Sequence, residues 1–255
     1  MSAETTLALI AKEVAVCTKC ALHESRKKAV PGDGPADAEI MFIGEGPGFH
    51  ENEQGKPFVG ASGKFLDQLL AQAELTREDV FICNVVKCRP PSNRDPQQDE
   101  LEACDSYLQS QIEAINPSII VTLGRISMSK FFGSVKISAV HGQMQKVGER
   151  FVIPMFHPAA ALHQPQLKPS ILADFAKLPN QLNEARNALG RKAIKKKELN
   201  SQKNEKPKQM SLFYRKQRRT NVCQRIFSKK VKRKKCKNCS FRFGICRFAV
   251  GSGFC

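Results

Sequence analysis

The amino-acid sequence predicts an α/β fold, a three-layer α/β/α sandwich around a four-stranded and mainly parallel sheet. Two observations support this prediction. The chain contains four short, almost wholly apolar runs, which are typical of strands buried on both faces of a sheet. Between these runs lie segments whose apolar residues recur at helical spacing, and strands that alternate with helices are typical of a parallel sheet.

The predicted elements follow one another in a regular order. Residues 4–16 show an amphipathic pattern, and Phe65, Leu66, Leu69 and Leu70 lie at the spacing of one helix face. The strands are rich in isoleucine, valine and phenylalanine, which favour extended backbone. The elements are a helix over 4–16, a strand over Ile40–Ile43, a helix over Lys64–Ala73, a strand over Val80–Cys83, a helix over Asp99–Ala114, and strands over Ser118–Leu123 and Phe151–Met155.

A glycine-rich segment follows the first predicted strand and is the strongest sign of a functional site. Residues 44–63 contain six glycines and two prolines. Glycine allows backbone to approach a ligand closely, and loops that leave a buried strand often carry binding residues. We therefore expect this loop to present Glu45, Glu51 and Phe58 to a pocket rather than to bury them in the core.

Three polar side chains follow the ends of three different predicted strands. Glu45, Asn84 and His157 occupy these positions. In a parallel sheet the ligand crevice lies outside the carboxyl ends of the strands. We expect the three side chains to converge there in an active site, and the alternative is that they are ordinary polar loop residues.

Four of the ten cysteines suggest a metal centre. Cys17 and Cys20 form a C-x-x-C pair, while Cys88 and Cys104 lie much farther along the chain. Four thiolates can bind a tetrahedral zinc ion or a four-iron cluster. The wide second spacing favours a cluster, and the alternative is that Cys88 and Cys104 are buried thiols. Cys83, within an apolar strand, is expected to be a core residue.

The composition of the chain changes sharply after residue 185. Residues 1–185 carry 18 Lys and Arg against 22 Asp and Glu, whereas residues 186–255 carry 23 against 2. We predict a folded domain over 1–185 and a basic, disordered tail over 186–255. The tail is either a nucleic-acid-binding arm or an extension without a selected function. It also contains three cysteines that lack a clear fourth metal ligand, Cys236, Cys239 and Cys246.

Five separated motifs within residues 5–180 occur in the order of one known enzyme family. They are CTKC, GEGPGFHENEQGKPFVGASGKFLD, NVVKCRPPSNRDP, the later Cys104, and HPAAAL. Together they resemble the family 4 uracil-DNA glycosylases, the iron-sulfur type found in bacteria and archaea. The resemblance does not cover the tail.

The resemblance implies a four-stranded parallel sheet between helices and the hydrolytic removal of uracil from DNA. It also implies a [4Fe–4S] cluster, whose ligands would be Cys17, Cys20, Cys88 and Cys104. The uracil-binding residues that it implies are Glu45, Gly46, Glu51, Phe58, Asn84 and His157. Among these, the residues expected to act in catalysis are His157, Asn84 and Glu45.

Each implied role has a chemical reason. Phe58 would stack on the uracil ring, and Asn84 would read the edge that distinguishes uracil from cytosine. His157 would hydrogen-bond O2, where negative charge develops as the glycosidic bond breaks. Glu51 would crowd the C5 position and exclude thymine. No general base is assigned, because either Glu45 or Glu51 could orient the attacking water.

The expected partner is uracil-containing DNA, single- or double-stranded, bound by a monomer. No apolar run reaches the roughly 18 residues of a membrane span, so we expect a cytoplasmic protein that works on the nucleoid of a bacterium or archaeon. Contact with a sliding clamp is left open by the sequence. The alternative function is that of a catalytically inactive iron-sulfur module that binds DNA and recruits other proteins.

Overall fold

A five-stranded sheet lies at the centre of residues 1–192, the part of the chain that the computed structural model describes. The strands are β1 (Ile40–Gly44), β2 (Val80–Asn84), β3 (Ile119–Leu123), β4 (Gln145–Val147) and β5 (Arg150–Met155). Their order across the sheet is β2-β1-β3-β5-β4. All neighbours are parallel except β4, which pairs antiparallel with β5. The prediction of a mainly parallel α/β sheet is confirmed.

Helices cover both faces of this sheet. They are α1 (Ala3–Val16), α2 (Leu22–Ser25), α3 (Phe49–Gln54), α4 (Ala61–Gln72), α5 (Gln98–Ile115), α6 (Arg125–Phe132), α7 (Ile137–Val140), α8 (Pro158–His163), α9 (Lys168–Ala176) and α10 (Leu178–Leu189). Of these, α1, α4 and α5 correspond to the three helices that the apolar spacing predicts.

Alternate residues of β1 pack on opposite faces of the sheet, as the two-residue period of a strand requires. Ile40 and Phe42 pack with apolar residues of α4, α9 and α10. Met41 and Ile43 pack on the other face with apolar residues of α5. All four side chains are buried, which explains why β1 reads as a continuous apolar run.

The predicted count of four strands is wrong by one, because the sheet contains β4. This strand is three residues long, and its sequence, Gln145-Lys146-Val147, is neither apolar nor buried. An exposed edge strand needs only one partner and no buried face, so it leaves no hydrophobic pattern in the sequence.

The glycine-rich segment is also more ordered than the sequence predicts, because it contains helix α3. The helix has the sequence Phe49-His50-Glu51-Asn52-Glu53-Gln54, which lacks apolar residues at helical spacing. A local interaction stabilises its first turn, since the Glu51 carboxylate accepts a hydrogen bond from the backbone N–H of Gly48 at 3.1 Å.

Ordered structure continues past the predicted boundary at residue 185. Helix α10 extends to Leu189, and Arg191 donates hydrogen bonds to the backbone oxygen of Asn116 at 2.8 Å and to its side-chain oxygen at 3.0 Å. The predictions about the basic tail and its cysteines concern residues outside the described part of the chain. Within residues 1–192, no helix is both long and apolar enough to cross a membrane.

Candidate active site and cysteine centre

A cleft of about 440 Å³ opens at the carboxyl ends of the parallel strands. Strand β1 lies between β2 and β3, so the chain changes sides of the sheet at this point, which is where open α/β sheets bind ligands. The structure places all six predicted uracil-binding residues in the lining of this cleft, Glu45, Gly46, Glu51, Phe58, Asn84 and His157. The convergence expected from the strand ends is therefore present in the structure.

Asn84 ends strand β2 beside Gly44, its partner in the ladder with β1. Its side chain is 2% exposed, and its Oδ1 atom has no hydrogen-bond partner within the described residues. A buried amide oxygen without a partner costs on the order of 1 to 3 kcal/mol, which a ligand donor can recover. A Cβ at position 44 would lie 2.4 Å from Oδ1, so the position requires glycine.

Phe58 lies in the cleft with a backbone conformation that is rare for its residue type. Its φ is 52°, in the left-handed region, and its ring is 4% exposed. Arg77 donates to the carbonyl oxygens of Pro57 and Phe58, which holds this conformation. Gly63 permits it, because a Cβ there would lie 1.8 Å from the Phe58 oxygen. Strain of this kind is typical of ligand-binding segments.

His157 stacks on Phe58, with ring centroids 5.5 Å apart and ring planes inclined by 26°. It precedes helix α8, and its Nδ1 accepts a hydrogen bond from the backbone N–H of Ala159 at 3.1 Å. Burial lowers the pKa of His157 to about 4, although the negative charge of Glu51 opposes this shift. The imidazole is therefore neutral at pH 7. Because Nδ1 accepts, Nε2 carries the proton and is free to donate.

Glu51 lines the cleft, but its carboxylate is committed to the loop that carries it. Oε1 accepts from the backbone N–H groups of Val59 and Gly60 at 2.9 and 3.0 Å, and Oε2 accepts from that of Gly48. The Glu51 side chain is 8% exposed, and Phe58 is 4% exposed and packs in the main core cluster, so the expectation that the loop leaves these two side chains unburied is wrong, although both line the cleft. A buried carboxylate needs donors, and the glycine-rich backbone supplies them.

Glu45 and Gly46 leave strand β1 at the edge of the cleft. Burial raises the pKa of Glu45, the charge of Asp95 raises it further, and Arg125 opposes both effects. The raised pKa favours the protonated form of Glu45 over what an exposed carboxyl group would show. Gly46 adds backbone to the lining of the cleft and no side chain.

The turn after β2 supplies lining residues to which the sequence analysis gives no role. Pro90, Asn93 and Arg94 belong to it. Arg94 donates from both terminal nitrogens to the buried carboxylate of Glu100, at 2.8 and 2.6 Å, which ties the turn to α5. Paired with Glu100, Arg94 lowers the pKa of that carboxyl. The signal in the sequence was the run of turn-forming residues that directly follows a strand end.

The four predicted metal ligands surround a second and much smaller cavity, of about 10 Å³. Cys17 and Cys20 lie after helix α1, Cys88 follows β2, and Cys104 lies on α5. None of them forms a disulfide, and burial raises the pKa of Cys104 to about 11 and also raises the pKa values of Cys20 and Cys88. Cys83 is fully buried in the core, as expected.

The four cysteines line one cavity, and four thiols are a donor set that suits either a tetrahedral zinc ion or a four-iron cluster. Within residues 1–192, no three His, Cys, Asp or Glu side chains are close enough together to bind one metal ion.

Comparison with known proteins identifies related chains. The profile of the Uracil DNA glycosylase superfamily matches residues 31–196. The type-4 uracil-DNA glycosylase of Saccharolobus solfataricus is 49% identical over 189 residues, which cover 69% of this chain and 87% of the relative. The enzyme of the same name from Archaeoglobus fulgidus is 47% identical, over 66% of this chain and 89% of the relative. The type-4 uracil-DNA glycosylase of Thermotoga maritima is 44% identical, over 68% of this chain and 93% of the relative.

Proposed function

The chain belongs to the uracil-DNA glycosylase superfamily, and on this premise we propose that it hydrolyses the N-glycosidic bond of uracil in DNA. The product is an abasic site, which base excision repair then processes. The observation that carries the proposal is the unpartnered Oδ1 of Asn84, buried in a cleft beside Phe58 and His157. An unsatisfied amide beside a stacking ring and a hydrogen-bond donor is suited to a flipped pyrimidine.

Asn84 would determine which base is accepted. Its Oδ1 can accept from N3–H of uracil, while its Nδ2 donates to O4. Cytosine presents an acceptor at N3 and a donor at its exocyclic amine. The oxygen of Asn84 would then face the acceptor and its NH₂ group would face the donor, so neither hydrogen bond could form. Each buried mismatch costs about 1 to 3 kcal/mol, so two of them disfavour cytosine by a factor of about 30 to 10⁴.

Phe58 would bind the face of the flipped uracil. Its ring lies in the cleft wall and is already fixed by contact with His157, so little conformational entropy is lost when the base enters. The strained backbone of Phe58, held by Arg77, sets the position of the ring before the ligand arrives.

His157 would stabilise the leaving base. As the glycosidic bond breaks, negative charge accumulates on N1 and O2 of uracil, and Nε2–H of a neutral imidazole can donate to O2. The hydrogen bond strengthens as the charge grows, so it lowers the transition state more than the ground state. A lowered pKa serves this role, because the imidazole remains a neutral donor with a fixed tautomer.

Glu45 is the residue best placed to orient the attacking water. It lines the cleft and accepts no hydrogen bond from the surrounding loop, whereas Glu51 is engaged by three backbone N–H groups. Glu51 would thus hold the shape of the uracil-binding loop and limit space at its edge. We leave the general base unassigned, because a water can be oriented without full proton transfer.

Cys17, Cys20, Cys88 and Cys104 would hold a [4Fe–4S] cluster. When bound, the cluster supplies a covalent cross-link among the end of α1, the segment after β2 and helix α5. These residues are distinct from those of the cleft, so the cluster would act on stability and on the placement of the β2 segment.

The experiment that tests the proposed function is the release of uracil from a labelled oligonucleotide, single-stranded and duplex. Alkaline cleavage then reveals the abasic site. Wild-type protein should cleave, and His157→Ala should be slower by a factor of about 10² to 10³, as for loss of one oxyanion donor. Lys136→Ala, an exposed change at the start of α7, should match the wild type. A folded wild type that binds uracil DNA without cleaving it would favour the recruitment module instead.

A further inference from the structure

Lys87 lies between the cleft and the cysteine centre and is almost wholly buried. Its side chain is 1% exposed, a value that few lysines reach. Its ammonium donates to the backbone oxygen of Asn84 at 2.8 Å and to Oε1 of Gln111 at 2.6 Å. Both acceptors are neutral. None of the ion pairs formed within residues 1–192 includes Lys87.

A buried ammonium without an opposite charge is expensive, and the cysteine cavity can provide that charge. Lys87 lines this cavity together with the four cysteines. Arg26 lines the same cavity and donates to Sγ of Cys88 at 3.5 Å. Four thiolates around a cluster carry a net negative charge, which the buried Lys87 and the half-buried Arg26 would balance.

The other contacts of Lys87 fix the end of strand β2. Its backbone oxygen accepts from Val30 at 2.8 Å, and its partner Gln111 donates to the backbone oxygen of Pro31 at 2.7 Å. The ammonium is therefore held on a rigid frame when it binds the Asn84 carbonyl. Because Oδ1 of Asn84 has no partner of its own, the position of that amide depends on its backbone.

We propose that Lys87 is a positioning residue that couples the cysteine centre to uracil recognition. Its ammonium is the counter-charge of the metal cluster, and the same ammonium holds the carbonyl of Asn84. The proposal rests on the proposed function and adds a physical link between its two sites. When the cluster is lost, the ammonium stays buried without an opposite charge. The end of β2 at Asn84 then shifts, and uracil binds less tightly.

The test compares Lys87→Met, which keeps the length of the side chain and removes its charge, with Lys177→Met. Lys177 is a matched control, because its ammonium pairs with Asp174 at 3.1 Å on an exposed surface away from the cysteines. Three quantities are measured: the rate at which a chelator bleaches the cluster, the midpoint potential of the cluster, and the inhibition constant of free uracil.

Lys87→Met should bleach about 10 to 100 times faster than the wild type, as for other changes beside a metal ligand. Its potential should become more negative, because a nearby positive charge favours the reduced cluster. Uracil should inhibit it about tenfold less strongly, for loss of one charge-assisted hydrogen bond. Lys177→Met should match the wild type in all three. Unchanged potential, or unchanged uracil inhibition in a variant that bleaches rapidly, would overturn the coupling.

A second experiment, on the wild-type protein, tests the proposal if the Lys87→Met protein does not fold. Wild-type protein is stripped of iron by a chelator, and amide hydrogen exchange is followed at residues 84–88 with and without uracil. Faster exchange there after stripping, with weaker uracil binding, supports the proposal, and unchanged exchange contradicts it. The bleaching and potential measurements need no glycosylase activity. If the wild type fails to release uracil, the proposed function is wrong. The bleaching rate and the midpoint potential still test whether Lys87 is the counter-charge of the cluster.

Discussion

The cleft and the cysteine centre share one segment of chain, residues 84–104, but are opposite in character. This segment contributes Asn84 and Arg94 to the cleft and Cys88 and Cys104 to the cysteine centre. The cleft leaves a buried oxygen unpaired and holds Phe58 in a rare conformation. The cysteine centre surrounds its thiols with donors from Arg26 and Lys87. The cleft is suited to a ligand that binds reversibly, and the cysteine centre to a group that is bound permanently.

This difference separates stability from activity. A permanent group contributes its binding energy to the folded state. An unsatisfied binding site reduces stability until its ligand arrives, which is the usual cost of preorganisation. Substitutions in the cysteine centre should therefore lower the free energy of unfolding, whereas substitutions in the cleft should lower activity and leave stability nearly intact.

The largest expected effect is the loss of a cluster ligand. Cys104→Ser should abolish the iron absorbance and lower the free energy of unfolding by several kcal/mol, on the order of 5. Urea denaturation and iron analysis measure the two changes. Ile120→Val is the control, because Ile120 is buried in the core apart from the cysteine centre, and it should retain iron and lose only about 1 kcal/mol. Equal losses in the two variants would contradict a structural role of the cluster.

Removal of the Asn84 amide should lower activity strongly and leave the free energy of unfolding nearly unchanged. Asn84→Ala should lower kcat/KM for uracil excision about 100-fold or more, since the buried edge of the base loses its partners. The free energy of unfolding should change by less than about 1 kcal/mol, because the lost oxygen has no partner in the folded protein. Asn183→Ala, an exposed change on α10, serves as the control. A stability loss as large as that of Cys104→Ser would show that Asn84 is structural.

The pH dependence of stability should reveal the neutral histidine of the cleft. His157 has a pKa of about 4 in the folded protein against 6.5 ordinarily. The unfolded chain therefore binds the proton first as the pH falls, so stability is fully present above pH 6.5 and decreases towards pH 4. The decrease should be about 2 to 3 kcal/mol and should be missing from His157→Gln. Urea titrations at intervals between pH 4 and 7 measure it, and parallel curves for the two proteins would exclude an imidazole whose pKa is lowered in the folded state.

The sequence predicts the buried part of the molecule better than its surface. β1, β2 and β3 are continuous apolar runs, because both faces of each strand are covered. The edge strand β4 and helix α3 have no such pattern, since hydrogen bonds hold them and the buried residues of α3, Glu51 and Asn52, are polar. The six uracil-binding candidates could be named because they follow strand ends or occupy recognisable motifs. The engagement of Glu51 depends on how its own loop folds back to offer backbone N–H groups, and the burial of Lys87 depends on contact with Gln111 on α5. Neither feature has a hydrophobic period in the sequence.

The smallest expected effect lies at the edge of the cleft, where Arg77 holds the strained backbone of Phe58. Arg77 donates to the oxygens of Pro57 and Phe58 and also pairs with Asp67 at 2.6 Å. Arg77→Met should let the backbone relax and displace the Phe58 ring, which raises KM about three- to tenfold and changes kcat little, because ring stacking binds ground state and transition state alike. Lys130→Met, which removes a surface pair with Asp105, is the control. A fall in kcat with KM unchanged would mean that Arg77 acts on the transition state. Phe58 could then not be assigned to substrate binding alone, with His157 acting on the transition state.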